Sequence, residues 1–237
     1  TEQSVGNLLK LRLNSSLNLN LSESITLPFI TTKLWPLKSD GNPKSYDEVI
    51  RSCEISLEKL GIPSIDLYLI HAPFGNKLSR IEQWKALIFL QESGKCKSIG
   101  VSNYSVQHLE EIREANLPLP SANQLELHPL CQHKDIVSYC KLNNILPIAY
   151  SSLAPLSDWR PGQRSGKLQE SYYNPNSESN LRKIELFNTL ATKYNITPAQ
   201  LLLKWGLQHG YPILPKSNHE SRIQLNFELN HFTIDED

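Results

Sequence analysis

The chain is 237 residues long, enough for one α/β barrel or two small domains with a full core. Its 24 Lys and Arg balance 24 Asp and Glu, which argues against nucleic acid or an acidic membrane as the main partner. No stretch approaches the roughly 20 apolar residues of a membrane helix, and the first residues, Thr1 to Val5, lack the basic and apolar regions of a signal peptide. The four cysteines, Cys53, Cys96, Cys131 and Cys140, form no CxxC pair, so no metal site and no dithiol motif is expected. Reduced thiols in a cytoplasmic chain are the expectation instead. Met is absent altogether, the initiator included, so either the chain is unusual or residues are missing from it, and an incomplete chain is the expectation.

In chain order, residues 2–11 read as helical and residues 14–22 as a polar Leu/Asn/Ser run. The first clear strand covers residues 29–32, runs into Lys33, Leu34 and Trp35, and stops at Pro36. Ser45, followed three residues on by Glu48, opens a helix that Gly61 ends. Strand 65–70 ends at His71, Ala72 and Pro73, and helix 81–91 follows, closed by Gly94. Strand 98–101 runs into Ser102 and Asn103, and Ser105 caps a helix through Glu114. Strand 122–127 carries Gln124, helix 135–142 follows, and strand 146–150 ends at Tyr150, Ser151 and Ser152. A long loop rich in Ser, Pro, Asn and Gly is expected over residues 154–180. Helices over 181–194 and 198–209 come next, then strand 211–214 ending at Pro215, Lys216 and Ser217, and a short helix from about Glu220.

Six strands alternating with helices predict an α/β fold with a parallel sheet and a single domain over residues 1–237. An eight-stranded barrel needs two strands more. In such a barrel the functional side chains gather at the C-terminal ends of the strands. Those ends hold Lys33, His71, Ser102, Asn103, Gln124, Tyr150 and Lys216: two cations, an imidazole, a hydroxyl, two amides and a phenol. The mixture suits a polar organic ligand better than a metal, and without a carboxylate it gives no support to paired-acid glycosidase chemistry. Taken singly, each is commoner as a surface or core residue than as a functional one.

Six stretches in order, each at a strand end, resemble the aldo-keto reductase family. They are Thr32-Lys33-Leu34-Trp35; Asp66 to Pro73; Gly100-Val101-Ser102-Asn103-Tyr104; Asn123 to Pro129; Ala149-Tyr150-Ser151; and Leu214-Pro215-Lys216-Ser217 with Arg222 and Asn226. The resemblance implies a (β/α)8 TIM barrel and NADPH-dependent reduction of aldehydes or ketones, with NADPH/NADP+ as cofactor and a small carbonyl compound as substrate. It implies that Lys33 eases proton donation by a catalytic tyrosine and that His71 orients the substrate carbonyl. Ser102, Asn103 and Gln124 would hold the nicotinamide carboxamide, and Tyr150 would stack on its ring. The loop at Ser151 and Leu153 would lie over the pyrophosphate, and Lys216, Ser217 and Arg222 would clamp the adenosine 2′-phosphate with Asn226 at the adenine. Trp35 and Phe74 are the candidate walls of the substrate pocket. Two departures from the family pattern are Ala72, where many members have Trp, and Leu225, where many have an acidic residue.

Thr1 to Gly6 resembles the family segment that follows the catalytic tyrosine, so that tyrosine, its aspartate partner and the first two strands are expected before residue 1. A monomer or weak oligomer is expected. The rival expectations are a nucleotide-binding regulatory or structural family member and a truncated pseudoenzyme, both without turnover.

Overall fold

The computed structural model describes residues 2–18, 27–156 and 178–235. A first helix, α1 (Glu2–Asn18), precedes β1 (Thr31–Leu34), α2 (Tyr46–Leu60), β2 (Ile65–Ile70), α3 (Lys77–Glu92), β3 (Cys96–Ser102) and α4 (Val106–Glu114). Next come β4 (Ala122–Glu126), α5 (Lys134–Leu142), β5 (Leu146–Tyr150), a short 3-10 turn at Ala154–Leu156, α6 (Glu178–Lys193), α7 (Pro198–Gln208) and α8 (Glu220–Phe227). The strands form one sheet in the order β1-β2-β3-β4-β5. No helix among the described residues is long and apolar enough to cross a membrane.

The chain divides into two compact units, Thr1–Asn123 with Ser138–Leu146, and Gln124–Val137 with Pro147–Asp237. In the first, the local chemistry explains the elements. Ser45 N–H donates to Glu48 Oε2 at 2.8 Å at the head of α2, and Gly61, at φ 66°, donates its N–H to Leu57 O at 2.8 Å to close it. Ile65, Leu67, Tyr68, Leu69 and Ile70 of β2 are all buried, as a central parallel strand covered on both faces must be. Its neighbours are in parallel register, Lys33 opposite Leu69 and Leu34 opposite Ile70 on one side, Leu69 opposite Gly100 and Ile70 opposite Val101 on the other. One residue further on, Trp35, His71 and Ser102 therefore stand level at the C-terminal edge.

Gly100 is required for that register. A Cβ there would stand 2.6 Å from Ala122 O and 2.7 Å from Leu69 Cδ2. Gly100→Ala is expected to cost about 2–3 kcal/mol of stability by overpacking, read from urea denaturation midpoints; a change below about 0.5 kcal/mol, the scatter of ordinary surface substitutions, would contradict the close approach.

In the second unit, Leu127 N–H donates to Tyr150 O at 3.3 Å. One apolar cluster is built on Leu125, Leu127, Val137, Ala149 and Tyr211, and another on Phe187, Ala191, Leu201 and Leu202. Thr197 caps α7, with Gln200 N–H donating to its Oγ1 at 3.2 Å and Pro198 at the first turn.

Several expectations need correcting. The expected sixth strand over 211–214 is only a single parallel bridge, Ala149 to Ile213. Pro212 has no N–H to donate, and Pro215 stops any extension. Helix α3 begins at Lys77 rather than residue 81, because Asn76 caps it by accepting from Ser79 N–H at 2.9 Å. Helix α1 continues through Asn18, past the expected end at residue 11. The expected loop over 154–180 is helical at both ends, at Ala154–Leu156 and from Glu178 onward. Its span 157–177 lies outside the described residues, as do residues 19–22 of the polar run.

Candidate active site

The parallel register of β1, β2 and β3 brings six of the expected residues together. Thr32 Oγ1 donates to Glu2 Oε1 at 2.7 Å on the α1 side of β1. Alternation along the strand sends the neighbouring Lys33 side chain to the opposite face. His71 is fixed through its main chain at both ends: its N–H donates to Leu34 O at 2.9 Å, and its carbonyl accepts from Asn103 Nδ2 at 3.0 Å. The imidazole stands edge-on to Trp35, with ring centroids 5.4 Å apart at 88°, and Trp35 in turn packs at 5.4 Å against Phe74. Trp35 and Phe74 keep 50% and 42% of their surface exposed, so these rings form an open wall rather than core.

The electrostatics of the cluster follow from one half-buried cation. Burial lowers the pKa of the Lys33 ammonium below the ordinary lysine range. Among the described residues it makes no hydrogen bond or ion pair. His71 is lowered too, chiefly by burial and secondarily by the Lys33 charge, so its imidazole stays neutral further into acid than a free histidine. A neutral imidazole carries one N–H donor. The pair thus offers a hydrogen bond and a positive charge side by side, which suits an oxygen on which negative charge develops.

Asn103 sits at φ 62°, a left-handed conformation that asparagine tolerates better than most residues. Its amide nitrogen donates to the His71 carbonyl and, also at 3.0 Å, to the buried Ser102 Oγ. The first of these bonds ties the ends of β2 and β3 together. The amide expected to grip a cofactor thus also holds the His71 main chain in place.

The remaining expected residues belong to the second unit. Gln124 is buried in β4, and Tyr150 ends β5 half-buried. Ser151 turns the chain at φ 53°, and its carbonyl accepts from Ala154 N–H at 2.8 Å. Leu153 packs against the cluster of Phe187, Ala191, Leu201 and Leu202. Between them, the Ser152 hydroxyl is buried without a hydrogen-bond partner among the described residues. Ser217 Oγ accepts from His219 N–H at 3.1 Å at the head of α8. Ser217 and Asn226 line a cavity of about 430 Å³ with Pro215, Ile223 and Phe227. Lys216 and Arg222 are exposed and are not among its lining residues. The orphaned Ser152 hydroxyl was not singled out from the sequence, where it is one serine among many.

The model of the aldo/keto reductase family matches residues 2–237. A 9,11-endoperoxide prostaglandin H2 reductase of Trypanosoma cruzi is 35% identical over 209 residues, 88% of this chain, and the match spans 64% of that relative's length. Methylglyoxal reductase DkgA of Escherichia coli is 34% identical over 236 residues, 100% of this chain and 72% of the relative. The crystal structure of a Bombyx mori aldo-keto reductase in complex with NADP superposes with a TM-score of 0.75 at 27% identity, covering 99% of this chain and 71% of that one. The chain belongs to the aldo-keto reductase family, and its α/β fold is that of the family's TIM barrel over the part that the chain spans.

Proposed function

We propose that this protein reduces an aldehyde or ketone to the alcohol with NADPH. The observation that carries the reading is the pairing of the half-buried Lys33 cation with a neutral His71 beside the open wall of Trp35 and Phe74. In this reading His71 donates its N–H to the carbonyl oxygen and orients the carbon for attack. Lys33 lowers the cost of negative charge on that oxygen and on the phenol that the family resemblance assigns as proton donor. Trp35 and Phe74 hold the apolar part of the substrate. Asn103 keeps His71 in place through its main-chain carbonyl.

The donor set fits a phosphorylated dinucleotide. The orphaned buried hydroxyl of Ser152 is a donor for a phosphate oxygen. Lys216 and Arg222 are exposed cations with no ion pair among the described residues, suited to a 2′-phosphate, and Arg222 offers a planar fork. The cavity beside Ser217 and Asn226 combines apolar walls with the amides of Gln224 and Asn226 and the Glu228 carboxylate, groups able to meet a purine's face and its donor and acceptor edges. A bound reduced nicotinamide supplies the hydride for the carbonyl carbon. DkgA, named as a methylglyoxal reductase, and the neighbour bound to NADP support both halves of the reading.

The test mixes the full-length protein with NADPH and an aromatic aldehyde and follows the nicotinamide absorbance. Protein-dependent loss of absorbance with one alcohol formed per NADPH is expected. Binding of NADPH without turnover would establish a nucleotide-binding role instead.

A further inference from the structure

We propose that Arg80 is the positioning residue for the aromatic wall and thereby sets the preference for bulky over small carbonyl substrates; this rests on the carbonyl-reductase reading above. Arg80 lies in the first turn of α3 with a side chain only 11% exposed. Its guanidinium meets the Glu111 carboxylate of α4 side-on, Nε to Oε2 at 2.8 Å and Nη2 to Oε1 at 2.6 Å. Glu111 is itself 10% exposed, so both charges are largely shielded from water. This two-point pairing fixes the plane of the guanidinium. The remaining nitrogen, Nη1, then points back at the loop after β2 and donates to Gly75 O at 2.6 Å and, more weakly, toward Pro73 O at 3.5 Å.

Those two carbonyls flank Phe74. The loop has little other freedom: Phe74 N–H donates to Ala72 O at 2.9 Å, and Gly75 stands at φ 86° where a Cβ would come 2.4 Å from Ser79 Oγ. Arg80 therefore grips the main chain on either side of the ring that packs on Trp35, and Trp35 packs on His71. Ala72, next to His71, contributes only a methyl group. The bulk of the wall thus falls to Trp35 and Phe74, and the placement of Phe74 falls to Arg80. A tight exposed ion pair between the same two helices, Lys77 Nζ to Glu114 Oε2 at 2.6 Å, makes no such loop contact and serves as the control.

The experiment compares wild type, Arg80→Met, Arg80→Lys and Lys77→Ala, with benzaldehyde and methylglyoxal as paired substrates. For Arg80→Met, KM for benzaldehyde is expected to rise roughly tenfold. Its kcat, the KM for methylglyoxal and the affinity for NADPH are expected to stay within about twofold. Arg80→Lys keeps the charge but not the fork, and is expected to fall between. Lys77→Ala should leave the substrate ratio unchanged. Hydrogen exchange at the Phe74 amide, which donates to Ala72 O, should quicken in both Arg80 variants and not in Lys77→Ala, whether or not turnover is detected. Equal losses on both substrates, or unchanged exchange at Phe74, would overturn the role of Arg80. Wild-type protein inactive on both substrates, with exchange behaving as expected, would instead overturn the carbonyl-reductase reading and leave Arg80 as the clamp of this loop.

Discussion

Lys33→Met is expected to lower kcat for aldehyde reduction by about two to three orders of magnitude, the usual worth of acid–base assistance, with NADPH affinity within about twofold. The substitution preserves much of the side chain's length and apolar stem while removing its charge. That charge is half-buried, without a hydrogen bond or ion pair among the described residues, and close enough to lower the pKa of His71. A second readout is independent of turnover. With the cation gone, one of the two causes holding His71 down disappears, so its imidazole should titrate at higher pH in the variant than in wild type, as followed by NMR. The burial contribution remains, so the recovery toward an ordinary histidine value is partial. Unchanged kcat together with an unmoved His71 titration would contradict the pairing.

Arg222→Ala is expected to weaken NADPH by roughly 10- to 150-fold, corresponding to the 1.5–3 kcal/mol of a lost charged hydrogen bond. NADH binding should change far less, because the only feature distinguishing the two ligands is the 2′-phosphate. Arg222 is exposed on α8, one turn before Asn226, which lines the neighbouring cavity. An exposed cation is screened by salt, so the difference between the two cofactors should shrink as ionic strength rises. Isothermal titration with both nucleotides at low and high salt measures it. Equal weakening of NADPH and NADH would contradict a phosphate clamp and point to damage at α8.

What was legible in the sequence had local causes. The apolar run of β2 needs both faces covered, and its bounds, Ile65–Ile70, agree with the reading. The Ser45 and Glu48 pairing and the Gly61 stop of α2 are short-range chemistry and were equally readable. The first turn of α3 was not, because Leu78 there is 81% exposed and Arg80 turns to the loop, so no apolar stripe marks it. The expected strand over 211–214 failed on a feature that was visible, the two prolines, whose missing N–H groups outweigh the apolar pattern.

The candidate site divides in the same way. Lys33, His71, Ser102 and Asn103 were recognisable as strand-end residues, and the register of β1, β2 and β3 makes them neighbours. The work that Asn103 does for the His71 carbonyl was hidden, because it depends on a bond spanning 32 positions. Arg80 was hidden for the same reason. Its partner Glu111 lies 31 residues away, and neither residue ends a strand.

The most direct test of the account supplies the full-length protein with NADPH deuterated at nicotinamide C4 on the transferring face and an aromatic aldehyde, and examines the alcohol by mass spectrometry and NMR. One deuterium is expected on the former carbonyl carbon, with formation rates falling in Lys33→Met. Alcohol lacking the label, or no alcohol from protein that binds NADPH, would contradict it.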